Sequence, residues 1–121
     1  MTHDEIAQLD AAQLRLEVAM VKGYIDNRQF CENEFLGPDN EWYYLESEYS
    51  SDRILPNWPA DIAAAWELGE EFPEWSAGKY PSGYRFIGWD YRDGELYKAA
   101  EEYGQSIEIA ICRAYLMWKQ G

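Results

Sequence analysis

Histidine and cysteine, on which most nucleophilic sites and metal centres depend, are nearly absent from this sequence. Its 121 residues include one histidine, His3, and two cysteines, Cys31 and Cys112. The cysteines lie far apart in the chain and match no metal-binding spacing, so we expect two free thiols. His3 lies in a terminal segment that is prone to fray, and any Ser-His-Asp or Cys-His arrangement would have to use it. We therefore expect no catalytic residue, no metal and no cofactor.

Long apolar runs and phosphate-binding loops are missing as well. No stretch of about 18 apolar residues occurs that could cross a bilayer. The first residues, Thr2-His3-Asp4-Glu5, lack the basic start of a secretory signal. Neither a Walker loop nor a glycine-rich dinucleotide fingerprint is present. These absences favour a cytoplasmic protein that has no membrane partner.

Basic residues are scarce relative to acidic ones. Ten Lys and Arg stand against 23 Asp and Glu, which gives a net charge of −13 with the histidine neutral. Duplex DNA, RNA and anionic membranes would be repelled by such a surface. The chain length suits one compact domain, and we expect residues 1–121 to form it.

Aromatic residues, in contrast, are abundant. The chain contains ten Tyr, six Trp and four Phe. Some of these rings belong in the core, but Tyr and Trp also serve interfaces and planar ligands, where an apolar face and a polar tip are both useful. The surplus therefore indicates either oligomerisation or ligand stacking, and composition does not decide between them.

The N-terminal segment carries the strongest helix signals. Thr2 and Glu5 fit a capping box, apolar residues recur at helical spacing, and Gly23 supplies a left-handed stop. These signals predict one continuous helix from about Asp4 to Lys22.

The remaining chain predicts strands that alternate with helices. The patterns first predict a strand over Glu41–Glu46, a helix from Pro59 to Gly69, and a loop with room for one short strand over Glu70–Gly83. They then predict a strand over Tyr84–Tyr91, a hairpin turn at Asp93–Gly94 and a returning strand over Glu95–Ala99. The last predicted element is a helix from its N-cap Ser106 to about Lys119. This order fits the α+β class, with a small antiparallel sheet covered by helices.

Arginines beside aromatic residues are the best binding candidates. Arg113 lies inside the apolar stretch Ile107–Trp118, and Arg85 lies between Tyr84 and Phe86. A planar guanidinium matches phosphate oxygens in two-point contacts, and an aromatic ring can stack on a base. The pattern fits a nucleotide-like ligand. It equally fits an arginine that snorkels from a helix and an arginine exposed on a strand.

Three short segments stand out along the chain: Leu16–Gly23 (LEVAMVKG), Asp61–Glu67 (DIAAAWE) and Ala110–Leu116 (AICRAYL). Together they resemble the small phage proteins of the ABA-sandwich family. The resemblance runs in consistent order over most of the chain. It implies a small antiparallel sheet sandwiched by helices.

The resemblance also implies a function and a set of site residues. Members of this group include the phage anti-Thoeris sponges, which sequester signals of the cyclic ADP-ribose type without degrading them. Some also hold cyclic oligonucleotides, and they assemble as dimers or hexamers. By position, Phe86 and Arg113 match the places that contact the signal, and Arg28 matches less closely.

Two functions from different classes follow. The first is a non-enzymatic phage anti-defence sponge, a homo-oligomer in the host cytoplasm that binds a nucleotide-derived immune signal through Arg113, Phe86, Arg85, Tyr84 and Arg28. The alternative is an acidic inhibitor that occupies a basic site on a host protein, which uses the net charge of −13 directly. Binding driven by net charge weakens as salt rises, so salt dependence separates the two.

Overall fold

The computed structural model describes residues 1–120, which form four helices and six strands. In chain order these are α1 (His3–Ala7), α2 (Ala11–Val21), β1 (Ile25–Asp26), β2 (Glu34–Leu36), β3 (Trp42–Tyr44), α3 (Ile62–Gly69), β4 (Glu74–Tyr80), β5 (Gly83–Arg92), β6 (Glu95–Gly104) and α4 (Ile107–Gln120). The strands form two separate antiparallel sheets, ordered β1-β2-β3 and β4-β5-β6. The predicted α+β class is confirmed.

The N-terminal segment forms two helices, so the prediction of one continuous helix is wrong. The Thr2–Glu5 capping box forms as predicted and begins α1. A second capping box follows, in which the Asp10 carboxylate accepts from the Gln13 N–H and the Gln13 side chain accepts from the Asp10 N–H. An N-cap residue has extended backbone, so Asp10 restarts the helix instead of continuing it.

The first sheet is small and lies between α2 and α3 in the chain. The strand predicted over Glu41–Glu46 contains β3, and the strands β1 and β2 were not predicted. Asn40 ends the preceding turn with a φ of 67°, a left-handed conformation that asparagine tolerates better than most residues.

Helix α3 begins three residues later than its proline suggests. Pro59 lies in a turn, and Asp61 is the N-cap, with its carboxylate accepting from the backbone N–H groups of Ala63 and Ala64. The helix ends at Gly69, as predicted.

The second sheet is the larger one, and its central hairpin is confirmed. Asp93 and Gly94 have φ angles of 53° and 80°, the left-handed pair that a two-residue hairpin turn requires. The returning strand β6 is longer than predicted, and its register shifts opposite Gly88 and Trp89. The segment predicted as mostly loop contains the seven-residue strand β4.

Helices α3 and α4 pack on one face of this second sheet. Phe86 contacts the α3 side, where a Cβ added to Gly69 would lie 3.3 Å from its ring. A Cβ on Gly88 would lie 2.2 Å from a ring carbon of Phe72, so close packing requires glycine at this position. Buried residues of all four helices share one core cluster with Phe86 and Ala100 of the sheet. Within residues 1–120, no helix is long and apolar enough to cross a membrane.

Candidate ligand-binding site

Arg113 joins three elements of the fold. Its Nη1 donates to the backbone oxygen of Tyr103 on β6 at 2.7 Å, and its Nη2 donates to the backbone oxygen of Ala7 on α1 at 3.1 Å. Its Nε is buried and has no hydrogen-bond partner within residues 1–120. Arg113 therefore has structural contacts in addition to its predicted place in a binding site, because two of the five N–H groups of its guanidinium hold backbone carbonyls.

Phe86 lies in the core, which corrects the expectation that its ring faces a ligand. Its side chain is fully buried. Its ring centre lies 5.5 Å from that of Phe72 and 6.1 Å from that of Trp75, whose ring it stacks on at 17°. Strand alternation correctly places Phe86 on the opposite face of the sheet from its neighbours in the strand. The helices cover the face that carries Phe86.

Tyr84 and Arg113, two of the five predicted binding residues, lie at the same surface depression. This depression has a volume of about 330 Å³ and is lined by Ser82, Gly83, Tyr84, Tyr103, Gly104, Gln105 and Arg113. It lies where β5 begins and β6 ends. Gly83 has a φ of +142°, and a Cβ there would lie 2.5 Å from the Gly104 oxygen, so the backbone at this end of the hairpin is closely packed.

Arg85 lies on the opposite face of the sheet. Its guanidinium carbon lies 4.7 Å above the centre of the Tyr80 ring, and its strand partner is Tyr103. Within residues 1–120, its side chain forms no hydrogen bond or ion pair. Arg85 is therefore available to a partner, but it does not share a face with Tyr84.

Arg28 belongs to a different part of the fold. It pairs with Asp26, with its Nε 2.9 Å from Oδ1 and its Nη2 2.6 Å from Oδ2, and this hydrogen bonding lowers the pKa of the Asp26 carboxyl. The groove beside it has a volume of about 490 Å³ and also contains Glu32, Glu46 and Glu48. Those carboxylates repel an anion, so Arg28 is poorly placed to bind a phosphate.

An uncovered aromatic face of the second sheet was not predicted. Ile87 is only 9 % exposed, yet it does not belong to the core cluster that contains Phe86. By strand alternation it shares its face with Arg85, Trp89 and Tyr91. Tyr103, also on this face by its pairing with Arg85, is 50 % exposed. The alternation of β5 predicts which of its residues share this face, but nothing in the sequence indicates which face the helices leave open.

A buried carboxylate near Arg113 was also not predicted. Glu102 is 2 % exposed, and its Oε1 lies 2.6 Å from Nδ1 of His3. Burial raises the pKa of the Glu102 carboxyl, and the neighbouring Glu101 raises it further, while His3 and Arg113 oppose the shift. His3, which was expected to lie in a frayed end, thus attaches α1 to the sheet.

We expect the Glu102→Gln variant to show a flatter dependence of stability on pH. A carboxyl whose pKa is raised by folding binds its proton more tightly in the folded state, so stability falls as pH rises from the ordinary carboxyl pKa of about 4.3 to the raised value. Chemical denaturation between pH 4 and pH 8 measures this slope. Glu95→Gln, at an exposed position of the same strand, serves as the control, and an equal slope in wild type and Glu102→Gln would contradict the assignment.

The two cysteines are free thiols, as predicted, and both are poor nucleophiles. Burial raises the pKa of the Cys112 thiol, and hydrogen bonding to Glu34 raises the pKa of the Cys31 thiol. A thiol with a raised pKa stays protonated near neutral pH, and the thiolate is the reactive form. Among residues 1–120, no group of three or more His, Cys, Asp and Glu side chains is placed to hold a metal ion.

Comparisons with protein-family models, with curated proteins and with solved structures found no match for this chain.

Proposed function

We propose that this protein is a non-enzymatic binding protein that sequesters a nucleotide-derived ligand at the depression formed by Tyr84 and Arg113. The observation that carries this proposal is the convergence of an aromatic ring and a guanidinium at one open surface site. A ring offers a stacking platform, and a guanidinium offers N–H donors to phosphate oxygens. Two of its five N–H groups hold carbonyls and the Nε–H is buried, which leaves one N–H on each of Nη1 and Nη2 for a ligand.

The ligand class follows from the same chemistry. A phosphate group would meet the free donors of Arg113, while a base or ribose would lie against Tyr84. The resemblance to the phage sponges makes a cyclic ADP-ribose isomer or a cyclic oligonucleotide the preferred candidate. In that role the protein would act as an anti-defence factor in the host cytoplasm.

Sequestration requires more enclosure than one chain supplies. Ligand sites are concave and bury about 70–90 % of a small molecule's surface, and this depression is open at about 330 Å³. We therefore include a homo-oligomer, a dimer or hexamer, in the proposal, because a second chain can cover the ligand.

Replacing Tyr84 tests the site directly. We expect Tyr84→Ala to weaken binding of the nucleotide ligand by about 1–3 kcal/mol, the typical contribution of one aromatic stacking contact, or roughly 5- to 150-fold. Isothermal titration with the bound nucleotide measures the change. Tyr91→Ala, at an exposed position near the far end of the same strand, is the matched control. Equal losses in both variants would remove Tyr84 from the site.

A second candidate, the acidic inhibitor of a host protein, is favoured by the unpaired carboxylates. Within residues 1–120, the ion pairs involve only Asp26, Glu41, Glu71, Glu101 and Glu102. That leaves 18 of the 23 acidic residues without a basic partner in the chain. A surface of this kind suits a basic site on another protein. Such binding should weaken steeply as salt rises from about 50 to 500 mM, because the electrostatic screening length falls from about 14 to 4 Å over this range.

A further inference from the structure

The outer edge of β4 is an unpaired strand edge. β4 lies at one side of the second sheet and pairs only with β5, through seven residues in continuous register from Glu74 to Tyr80. Within residues 1–120, no backbone or side-chain hydrogen bond reaches the side of β4 that faces away from β5. A strand edge with free N–H and C=O groups is a template for pairing with another strand.

This edge lacks two of the features that normally block such pairing, a proline and a bulge. β4 contains no proline, and its register shows no bulge, whereas β6 at the other edge carries a register shift and packs against α4. Natural edge strands are usually protected by charges, prolines, bulges or a covering element. β4 is also long enough, at seven residues, to form a full strand pair.

The charge of this edge points to a second copy of the chain as its partner. β4 carries one acidic residue, Glu74, and one basic residue, Lys79, so the strand is formally neutral in a protein with a net charge of −13. Two copies repel each other over most of their surfaces. Along this strand they can meet without bringing a net excess of like charges together. A basic partner protein would instead favour the acidic surfaces elsewhere.

We propose that two copies pair antiparallel along β4 and form one continuous six-stranded sheet. The register centred on Ala77 pairs all seven residues of the strand with its twofold mate. In that register Trp75 lies opposite Lys79 of the second copy, and Glu74 lies opposite Tyr80 of the second copy. The first pair allows a cation–π contact, and in the second a phenol can donate to a carboxylate. No like charges are opposed.

This inference deepens the proposed function, because it names the interface of the oligomer, but it does not depend on the ligand. The interface is isologous, since the same strand contributes from both copies, and it therefore closes at a dimer.

A lysine at the centre of the seam tests the interface. Ala77 is exposed in the single chain and lies opposite itself in the pair, so Ala77→Lys places two like charges directly opposite each other. We expect wild type to have twice the chain mass of 14.2 kDa in analytical ultracentrifugation at micromolar concentration. Ala77→Lys should weaken the dimer by at least about tenfold. Ala63→Lys, which adds the same charge at an exposed alanine of α3, should leave the dimer unchanged.

Cross-linking provides a second readout that does not depend on weakening the dimer. The exposed Cys31 is first replaced by serine, and Cys112 is buried. In this background, Ala77→Cys should form a covalent dimer with a short thiol cross-linker, because directly opposite Cβ atoms lie about 4.5–5.5 Å apart in an antiparallel pair. Ala63→Cys should form no covalent dimer under the same conditions.

Two results would overturn the inference. One is a wild-type protein that is monomeric at micromolar concentration. The other is an oligomer that Ala77→Lys leaves intact and that cross-links no better through Ala77→Cys than through Ala63→Cys. The second result excludes the β4 interface but leaves the proposed oligomer and its ligand in place. Failure of this interface can therefore be distinguished from failure of the proposed function.

Discussion

Replacing Phe86 by alanine is expected to lower the free energy of unfolding by about 3–5 kcal/mol, the usual cost of truncating a buried phenylalanine. The ring is fully buried and lies among the rings of Trp66, Phe72 and Trp75. On the α3 side the ring lies against Gly69, which has no side chain that could move into the space. The cavity would therefore remain largely empty.

Chemical denaturation of Phe86→Ala measures this loss, and Phe30→Ala is the matched control. Phe30 is 79 % exposed, so its truncation should change stability by no more than about 0.5 kcal/mol. Affinity for a ligand, measured well below the melting temperature, should be unchanged in Phe86→Ala. A variant that melts like wild type but binds weakly would restore Phe86 to the ligand site.

Replacing Arg113 by alanine is expected to cost about 1.5–3 kcal/mol of stability, the range for hydrogen bonds made by charged groups. Alanine favours the helix, so the loss comes from tertiary contacts. The carbonyls of Ala7 and Tyr103 lose their donor, and Glu102 loses a cation that helps to hold its carboxylate. We expect α1 to detach first, since Arg113 and His3 both hold it.

Hydrogen exchange of the α1 amides, together with denaturation, measures this effect. Arg113→Lys keeps the charge but cannot span two carbonyls with one planar group, so it should fall between wild type and Arg113→Ala. If Arg113→Ala keeps full stability and α1 protection and loses only ligand affinity, the contacts to the two carbonyls are unimportant and the residue serves binding alone.

Local signals predicted the elements that depend on neighbouring residues. The β5–β6 hairpin follows from Asp93–Gly94, and the start of α4 follows from Ser106, whose hydroxyl accepts from the Ile109 N–H at 3.3 Å. The break between α1 and α2 was missed because the apolar spacing continues through it, although the Asp10–Gln13 capping box was readable in the sequence. β4 was predicted only as one short strand within a loop, because almost all of its residues are exposed and its sequence shows little apolar alternation.

The site residues were harder to predict because their contacts are distant in sequence. Arg113 donates to a carbonyl 106 residues away, and His3 contacts a carboxylate 99 residues away. Alternation separated Phe86 from Arg85, but only the packing of α3 and α4 shows which of the two is buried. Tyr84 and Arg113 meet at one depression because the end of the hairpin lies beside α4.

Incubation of the protein with a panel of cyclic ADP-ribose isomers and cyclic oligonucleotides, followed by heat release, tests the proposed sequestration most directly. The account predicts that one class of nucleotide is depleted from solution and is recovered chemically intact after the protein is denatured. The depletion should be reduced in Tyr84→Ala and retained in Tyr91→Ala. Recovery of an altered nucleotide would contradict the non-enzymatic account, and no depletion of any nucleotide would favour the acidic inhibitor of a host protein.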